Sequence, residues 1–376
     1  MIIWAEATVT EIRAGWAGAV EVLAQRDDAT TCRALAYTDL VPAPEIGDRL
    51  LLNVAALDRG LGTGGYALVV AVLSADGRLT GQPPPPRGHL VKARYLPMQA
   101  MVAGADEQGS PFHEALAQAD SIEGMPVLVA DLHSALAPIA AAIHADRPGT
   151  RVVYLMSDHG ALPIAFSRTV AQLKEAGQLT GTVTAGQAFG GDLEAVNVHS
   201  GLLAAKIALD AEVVVLTQGP GNLGTGTRWG FSGVACGEAV NATATLGGRP
   251  VGSLRISGAD ARPRHRGISH HSLTAYGRVA MCRAELAVPD LAGATSLTGI
   301  AGLDVVAAMA DEVRQAADQL SRHDLVLVEL GGLDRALRDA PVRLSTMGRG
   351  LDEDPAYFLS AAASGRLAAR LVESTD

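Results

Sequence analysis

VVVLTQGPGNLGTGTRWGFSG, residues Val213–Gly233, drives an apolar run straight into a glycine-rich loop. The run stops at Gly219, and glycines recur at 221, 224, 226, 230 and 233. A short continuous apolar run bounded by turn residues reads as a strand buried on both faces. The hexad Gly219–Gly224 also spells G-x-G-x-x-G. It is open to three readings: a dinucleotide fingerprint, another anion-binding loop, or a turn without a ligand.

The same rhythm repeats on both sides of this stretch. PVLVA (Pro126–Ala130), RVVYLM (Arg151–Met156), GTVTAGQA (Gly181–Ala188) and RPVGSLRIS (Arg249–Ser257) are strand-like, and helical patterns lie between them. Examples are ALPIAFSRTVAQLKEAG, stopped by Gly177, and DLEAVNVHSGLLAAKIAL, with Asp192 as expected N-cap. Strands alternating with helices predict an α/β fold, a mostly parallel sheet with helices on both faces. Further on, the pattern predicts a helix near 303–322, strands DLVLVEL (Asp324–Leu330) and VRLST (Val342–Thr346), and a last helix after Asp354-Pro355.

Residues 1–80 read differently. Five short runs, IIWAEATVTEI, GAVEVLA, TCRALAYTDL, DRLLLNVAAL and GYALVVAVL, are separated by Gly, Asp and Pro signals. They predict a small all-β barrel of the OB or SH3-like kind. GQPPPPRG (Gly81–Gly88) cannot continue a sheet and favours an extended spacer. The expected organisation is a barrel over 1–80, a Pro-rich linker over 81–94, and an α/β domain over 95–376.

Composition bounds the function. The chain has 376 residues, 48% hydrophobic and 4% aromatic, so the core is aliphatic. A net charge of −10 argues against bulk attraction to nucleic acid or to anionic lipid. No run of 18 apolar residues predicts a membrane span, and Glu6 and Glu11 interrupt any signal-like N-terminus. Cys32, Cys236 and Cys282 are widely spaced, with no C-x-x-C, which points to a reduced, cytoplasmic protein. Cys236 in GVACGEA reads as a buried thiol before it reads as a nucleophile.

In a parallel sheet, ligands bind where loops leave the carboxyl ends of the strands. Five loops fall there: Ala130–Ser134, Ser157–Gly160, Gly186–Glu194, Gln218–Arg228 and Gly258–Ser272. Most of the domain's histidine, glycine and polar oddities sit in them. A dinucleotide fingerprint needs a helix opening within the glycines. Here GTGTRWG runs on before any helical pattern, and the usual acidic residue after the next strand is missing. The favoured ligand reading is therefore an anion held by Gly219, Gly221, Gly224, Thr225, Thr227 and Arg228. A basic island, RPRHRGISHHS, adds Arg262, Arg264, His265, Arg266, His270 and His271 within ten residues of this acidic chain. Arginine suits bidentate carboxylate or phosphate binding. The competing reading is that these arginines pair with the protein's own carboxylates or with a second subunit.

Histidines and carboxylates complete the set. His270 or His271 is the candidate general base, with Asp158 and His159 beside it. Asp131, His133 and His159 are candidate ligands for a divalent metal, although their spacing matches no zinc motif. His144, His199 and His323 lie on expected helices and read as structural. The cofactor is otherwise unknown, and a homo-oligomer is left open.

RVVYLMSDHGALPIAFSRTVAQLKEAG, TVTAGQAFGGDLEAVNVHSGLLAA, QGPGNLGTGTRWGFSG, RPRHRGISHHSLTAYGRVA and MGRGLDEDPAYFLSAAASG together resemble a bacterial family, domain of unknown function 3866. The resemblance spans nearly the whole chain and implies a soluble bacterial protein, but it carries no activity, cofactor or catalytic residue. From the residues, the leading expectation is a hydrolase or group transferase acting on a small anionic metabolite. The alternatives are a non-catalytic ligand-binding or scaffold protein and, more weakly, a nucleotide-dependent oxidoreductase.

Overall fold

A computed structural model describes residues 2–74, 77–80 and 88–372. The chain divides into two compact units, Met1–Ala103 with Pro163–Ala171, and Gly104–Leu162 with Gln172–Asp376. Residues 81–87 of the expected linker lie outside the described residues. The sequence puts the start of the second domain at 95, whereas the division between units falls after Ala103. The first unit also takes in Pro163–Ala171, which sequence reading assigns to the α/β domain.

In the first unit, β1 (Trp4–Trp16), β2 (Ala19–Arg26), β3 (Thr31–Tyr37), β4 (Arg49–Asn53) and β5 (Ala67–Leu73) form a closed barrel in the order β1-β2-β3-β5-β4. All neighbours are antiparallel except β3 and β5. Five strands fit the OB kind of barrel. Alternate residues such as Ala7, Val9, Val22, Ala24, Leu50 and Leu52 point inward and form one aliphatic cluster. The short hairpin β6 (Leu90–Lys92) and β7 (Ala100–Val102) follows.

The second unit is built on eight parallel strands. They are β8 (Pro126–Ala130), β9 (Val152–Ser157), β10 (Gly181–Ala185), β11 (Leu193–Ala195), β12 (Val213–Gln218), β13 (Arg249–Ser253), β16 (Glu285–Pro289) and β17 (Asp324–Val328). Between β13 and β16 sits a small separate hairpin, β14 (Ile256–Ser257) with β15 (Gly267–Ile268). The sheet order is β11-β10-β9-β12-β8-β13-β16-β17. Every residue of β8, β9, β10 and β12 is buried, as continuous apolar runs require when both faces are covered. One helical layer joins Leu136–Asp146, Leu333–Arg338 and Pro355–Leu371, and another joins Val198–Ala208, Ala235–Thr245 and the turns around Ala275–Val279. The last helix lies against Leu136–Asp146 so closely that a Cβ on Gly365 would come within 2.4 Å of Ile139 O. Arg366 clamps the pair through two bonds to Asp146, of 2.8 and 3.0 Å.

Several expected elements differ. Asp192 does not cap a helix; its carboxylate accepts from Thr182 N and Oγ1 at 2.8 and 2.9 Å, fastening the added strand β11 to β10. The helix begins at Val198 instead, and Asn197 and Ser200 form its capping box. RPVGSLRIS breaks after Ser253 into β13 and β14. The expected strand Val342–Thr346 is irregular, with only a Thr346–Arg349 bridge. The 303–322 helix is two helices, Leu303–Ala308 and Ala310–Ala317, with a short turn after them. Pro355 opens the last helix as expected, but the Asp354 carboxylate accepts from Ser257 Oγ at 2.6 Å rather than capping it.

Candidate functional site

The chain path makes one edge of the sheet special. β8 is followed by a helix of one layer, while its neighbours β12 and β13 are followed by helices of the other. Loops leaving in opposite directions open a crevice at the carboxyl ends of adjacent strands, the usual ligand position in such sheets. Four of the five loops singled out above leave carboxyl ends of this parallel sheet directly; the fifth, Gly258–Ser272, leaves β14 of the small hairpin, four residues after β13 ends.

Asp131 stands at the end of β8 and is buried. Its Oδ2 lies 3.3 Å from His271 Nδ1 and 3.7 Å from Arg255 NH1. Burial would raise this carboxyl, but the His271 hydrogen bond and the Arg255 charge outweigh it, and the pKa lies below the usual value. Arg255 reaches on to Asp260 at 3.6 Å, and its NH1 is 3.4 Å from His271 Nδ1. Asp260 in turn receives Arg262 Nε and NH2 at 2.9 and 2.8 Å, which holds its carboxyl well below the ordinary range.

Ser269 organises the histidines. It is the N-cap of the helix His270–Thr274, its Oγ accepting from His271 N, and it lies 2.7 Å from His265 Nδ1. The next turn, Ala275–Val279, is a π-turn, a distortion common at functional sites. His271 stacks on Phe231 at 3.8 Å. His265, His270 and His271 have ring centroids 4.5–4.9 Å apart. One ring nitrogen from each lies within 4.8 Å of the others, and they are the group with metal-ligand spacing among the described residues. Burial, with help from Arg255 and Arg262, pushes His265 down to about 3, and burial with the neighbouring His271 pushes His270 down to about 4. Both imidazoles are therefore neutral at pH 7. The Nε2 of His270 is buried and has no hydrogen-bond partner.

His270 also lines a cavity of about 430 Å³ with Arg228, Leu273, Thr274, Gly277, Arg278 and Gln319. No carboxylate lines it among the described residues. Arg228, Arg264, Arg266 and Arg278 make no ion pair among the described residues, although Arg266 reaches Gly258 O at 3.5 Å.

Arg262 is committed to Asp260, so for this arginine internal pairing holds. Asp158 does not meet His270 or His271; its Oδ2 accepts from Gln187 N at 2.9 Å and braces the next loop. His159 Nδ1 is 3.4 Å from both Ser157 Oγ and Asp158 Oδ1. It lines a separate cavity of about 220 Å³ with the exposed His199, Gln218 and Cys236. His133 Nδ1 lies 2.9 Å from the Tyr154 hydroxyl, and burial pushes its ring down to about 4. Asp131, His133 and His159 are thus not brought together as one set of ligands. Burial raises the Cys236 thiol well above its usual value, which fits an inert thiol. His144 and His323 are hydrogen-bonded within the fold, to Gln178 O and Tyr276 O.

The glycine loop does not open a helix; a short turn starts at Ser232 and the helix at Ala235. Gly160 and Gly219 let two loops touch, since a Cβ on Gly160 would come within 2.2 Å of Gly219 O. Gly221 has φ +99°, and Gly224 bridges to Phe231. Leu223 N donates to Ser232 Oγ and Thr225 N to Gly230 O, so two loop amides are satisfied internally. The Thr227 hydroxyl accepts from Gly230 N, and the Thr225 and Thr227 hydroxyls lie 3.2 Å apart, closing the turn.

Sequence reasoning missed Arg255 and Asp260, and it took His265 only as part of a basic island. An arginine inside the apolar LRIS run and the spacing H-x-x-x-x-H-H were the available signals.

The fold is α/β, and a cluster of three histidines, His265, His270 and His271, lies beside a small cavity that His270 lines. The chain belongs to the family described as Protein of unknown function (DUF3866), whose model matches residues 33–365. No curated protein and no solved structure matches it. No helix among the described residues is long and apolar enough to cross a membrane.

Proposed function

We propose that this protein is a hydrolase or group transferase acting on a small anionic metabolite, phosphorylated or carboxylated, at the carboxyl edge of β8, β12 and β13. The observation that carries the reading is the cavity lined by Arg228, Arg278 and His270, with no carboxylate in its lining among the described residues, beside the buried Asp131–His271 pair. Like-charged guanidinium groups around one space favour an anion between them. Arg264 and Arg266, also without an ion pair among the described residues, would add to the field that draws it in. Activation of the attacking group falls to the histidine cluster next to this cavity. Three free cysteines, two of them buried, fit a cytoplasmic setting.

The test is thermal melting in sulfate or phosphate. Sulfate should stabilise the wild type in proportion to its occupancy. Replacing Arg228 and Arg278 by Ala should weaken that protection at least tenfold, since each charge-assisted bond is worth roughly 1.5–3 kcal/mol. The Arg264→Ala/Arg266→Ala pair should weaken it as well, without loss of stability in the absence of the anion. Equal protection of the wild type and both double variants would place the anion elsewhere.

A further inference from the structure

We infer that His265, His270 and His271 form a binding site for one divalent transition metal ion, with zinc the best match. The inference supplies the activation step of the preceding reading, but it stands on separate observations. Three imidazoles from one short segment lie with ring nitrogens within 4.8 Å of one another. A tetrahedral zinc at roughly 2.0–2.1 Å from each nitrogen would draw them to about 3.4 Å apart, a small closure of rings already in contact.

The second observation concerns the nitrogens' partners. His271 Nδ1 faces Asp131 Oδ2 at 3.3 Å, and His265 Nδ1 faces Ser269 Oγ at 2.7 Å. Metal-bound histidines usually donate their other ring N–H to a carboxylate or another oxygen, which fixes the tautomer and turns the remaining lone pair toward the metal. Two of the three histidines have such a partner here. The third, His270, offers a buried Nε2 with no hydrogen-bond partner among the described residues. A polar atom left unsatisfied in the interior is costly unless something occupies the position beside it.

Charge permits the ion. Arg255 lies 3.4 Å from His271 Nδ1, and a lone guanidinium would repel a cation. The carboxylates of Asp131 and Asp260 offset Arg255 and Arg262 one for one, and the positive charge of Arg228 and Arg278 on the His270 side favours an anionic fourth ligand on the metal. The cavity on the His270 side gives access for the metal and for a fourth ligand. Three protein nitrogens with one open position are the arrangement that makes a bound water nucleophilic near neutral pH.

The experiment uses the full chain, stripped with a chelator and titrated with Zn²⁺ against a chromophoric competitor, with Co²⁺ absorption as a second readout. One equivalent should bind. His270→Ala should weaken binding at least 100-fold while keeping the wild-type melting temperature, and His270→Gln serves if the alanine variant is unstable. Asp131→Asn should weaken binding 10- to 100-fold by loosening His271. His199→Ala should change nothing. Absence of Zn²⁺ uptake, or uptake untouched by the His270 and Asp131 substitutions, would overturn the site. Zinc uptake without sulfate protection would sink the anion reading alone, and the reverse outcome would sink this one alone.

Discussion

Each unit holds a buried carboxylate, Glu21 in one and Asp131 in the other, within a cluster of polar side chains, and the two clusters end differently. In the barrel, Glu21 accepts from Arg33 Nε at 2.9 Å and from the Tyr66 hydroxyl at 2.8 Å. Arg33 NH2 also donates to Tyr66, at 2.7 Å, and the guanidinium lies over the ring at 4.3 Å. The Arg33 bond, more than any other contact, holds the Glu21 carboxyl below its ordinary pKa. Both oxygens have a donor, and the cluster is closed. At the sheet edge, Asp131, Arg255, His271 and His265 are tied together, but the chain of bonds stops at His270, whose Nε2 has no hydrogen-bond partner among the described residues. A closed cluster holds a fold together. One that is open at a single atom beside a cavity marks where a ligand would complete it.

The contrast can be broken at several points. Glu21→Ala should cost the most, about 2–3 kcal/mol, because two hydrogen bonds to a carboxylate are lost. The loss should show as a lower denaturant midpoint, unchanged by sulfate or zinc. A cost below about 0.5 kcal/mol, the usual range of surface substitutions, would mean the barrel cluster is not structural.

A smaller effect should follow pH. His133 is held down to about 4, against an ordinary value of 6.5. Between pH 6.5 and about 4 the unfolded chain takes up a proton that the folded ring refuses, so stability falls as pH falls through that window and is unaffected above pH 7. His133→Asn should remove one proton's share of this slope, roughly 1–2 kcal/mol at pH 5. A urea series at pH 7.5 and pH 5 that gave the variant the wild-type slope would rule out a His133 held neutral in the fold.

The smallest effect distinguishes neighbouring arginines. Arg262→Ala, which strips two bonds from Asp260, should cost about 1 kcal/mol, while Arg264→Ala should stay within about 0.5 kcal/mol. Equal costs would mean that the paired and unpaired arginines do not differ as described.

The strands were legible because burial on both faces leaves an unmistakable run of apolar residues, as in PVLVA and EVVVLTQ. The ends of elements were not. Asp192 has the chemistry of a helix cap, but nothing local reveals that Thr182, on a neighbouring strand, offers it a better partner. Four loops of the candidate site were legible as leaving one edge, since a parallel sheet sends every such loop the same way; the fifth leaves the hairpin β14–β15, which the sequence did not reveal. The pairings of the site were hidden: Asp131 finds His271 and Arg255 across more than a hundred residues of sequence, and Asp158 gives no sign that it is spent on Gln187. Phe231, which supports His271, reads in sequence as one more residue of a turn.

The position of β8 bears on how the chain folds. This strand is made first among the eight, yet it sits in the middle, with Val127 paired to Val214 on one side and to Pro250 on the other. At synthesis rates of about 5–20 residues per second, its partners emerge on the order of ten seconds later. Until then both of its edges and both of its apolar faces lack their final neighbours. Such long-range parallel pairing is slow to form and exposed to aggregation in the interval. The chain should therefore refold slowly from denaturant, and its yield should depend on protein concentration.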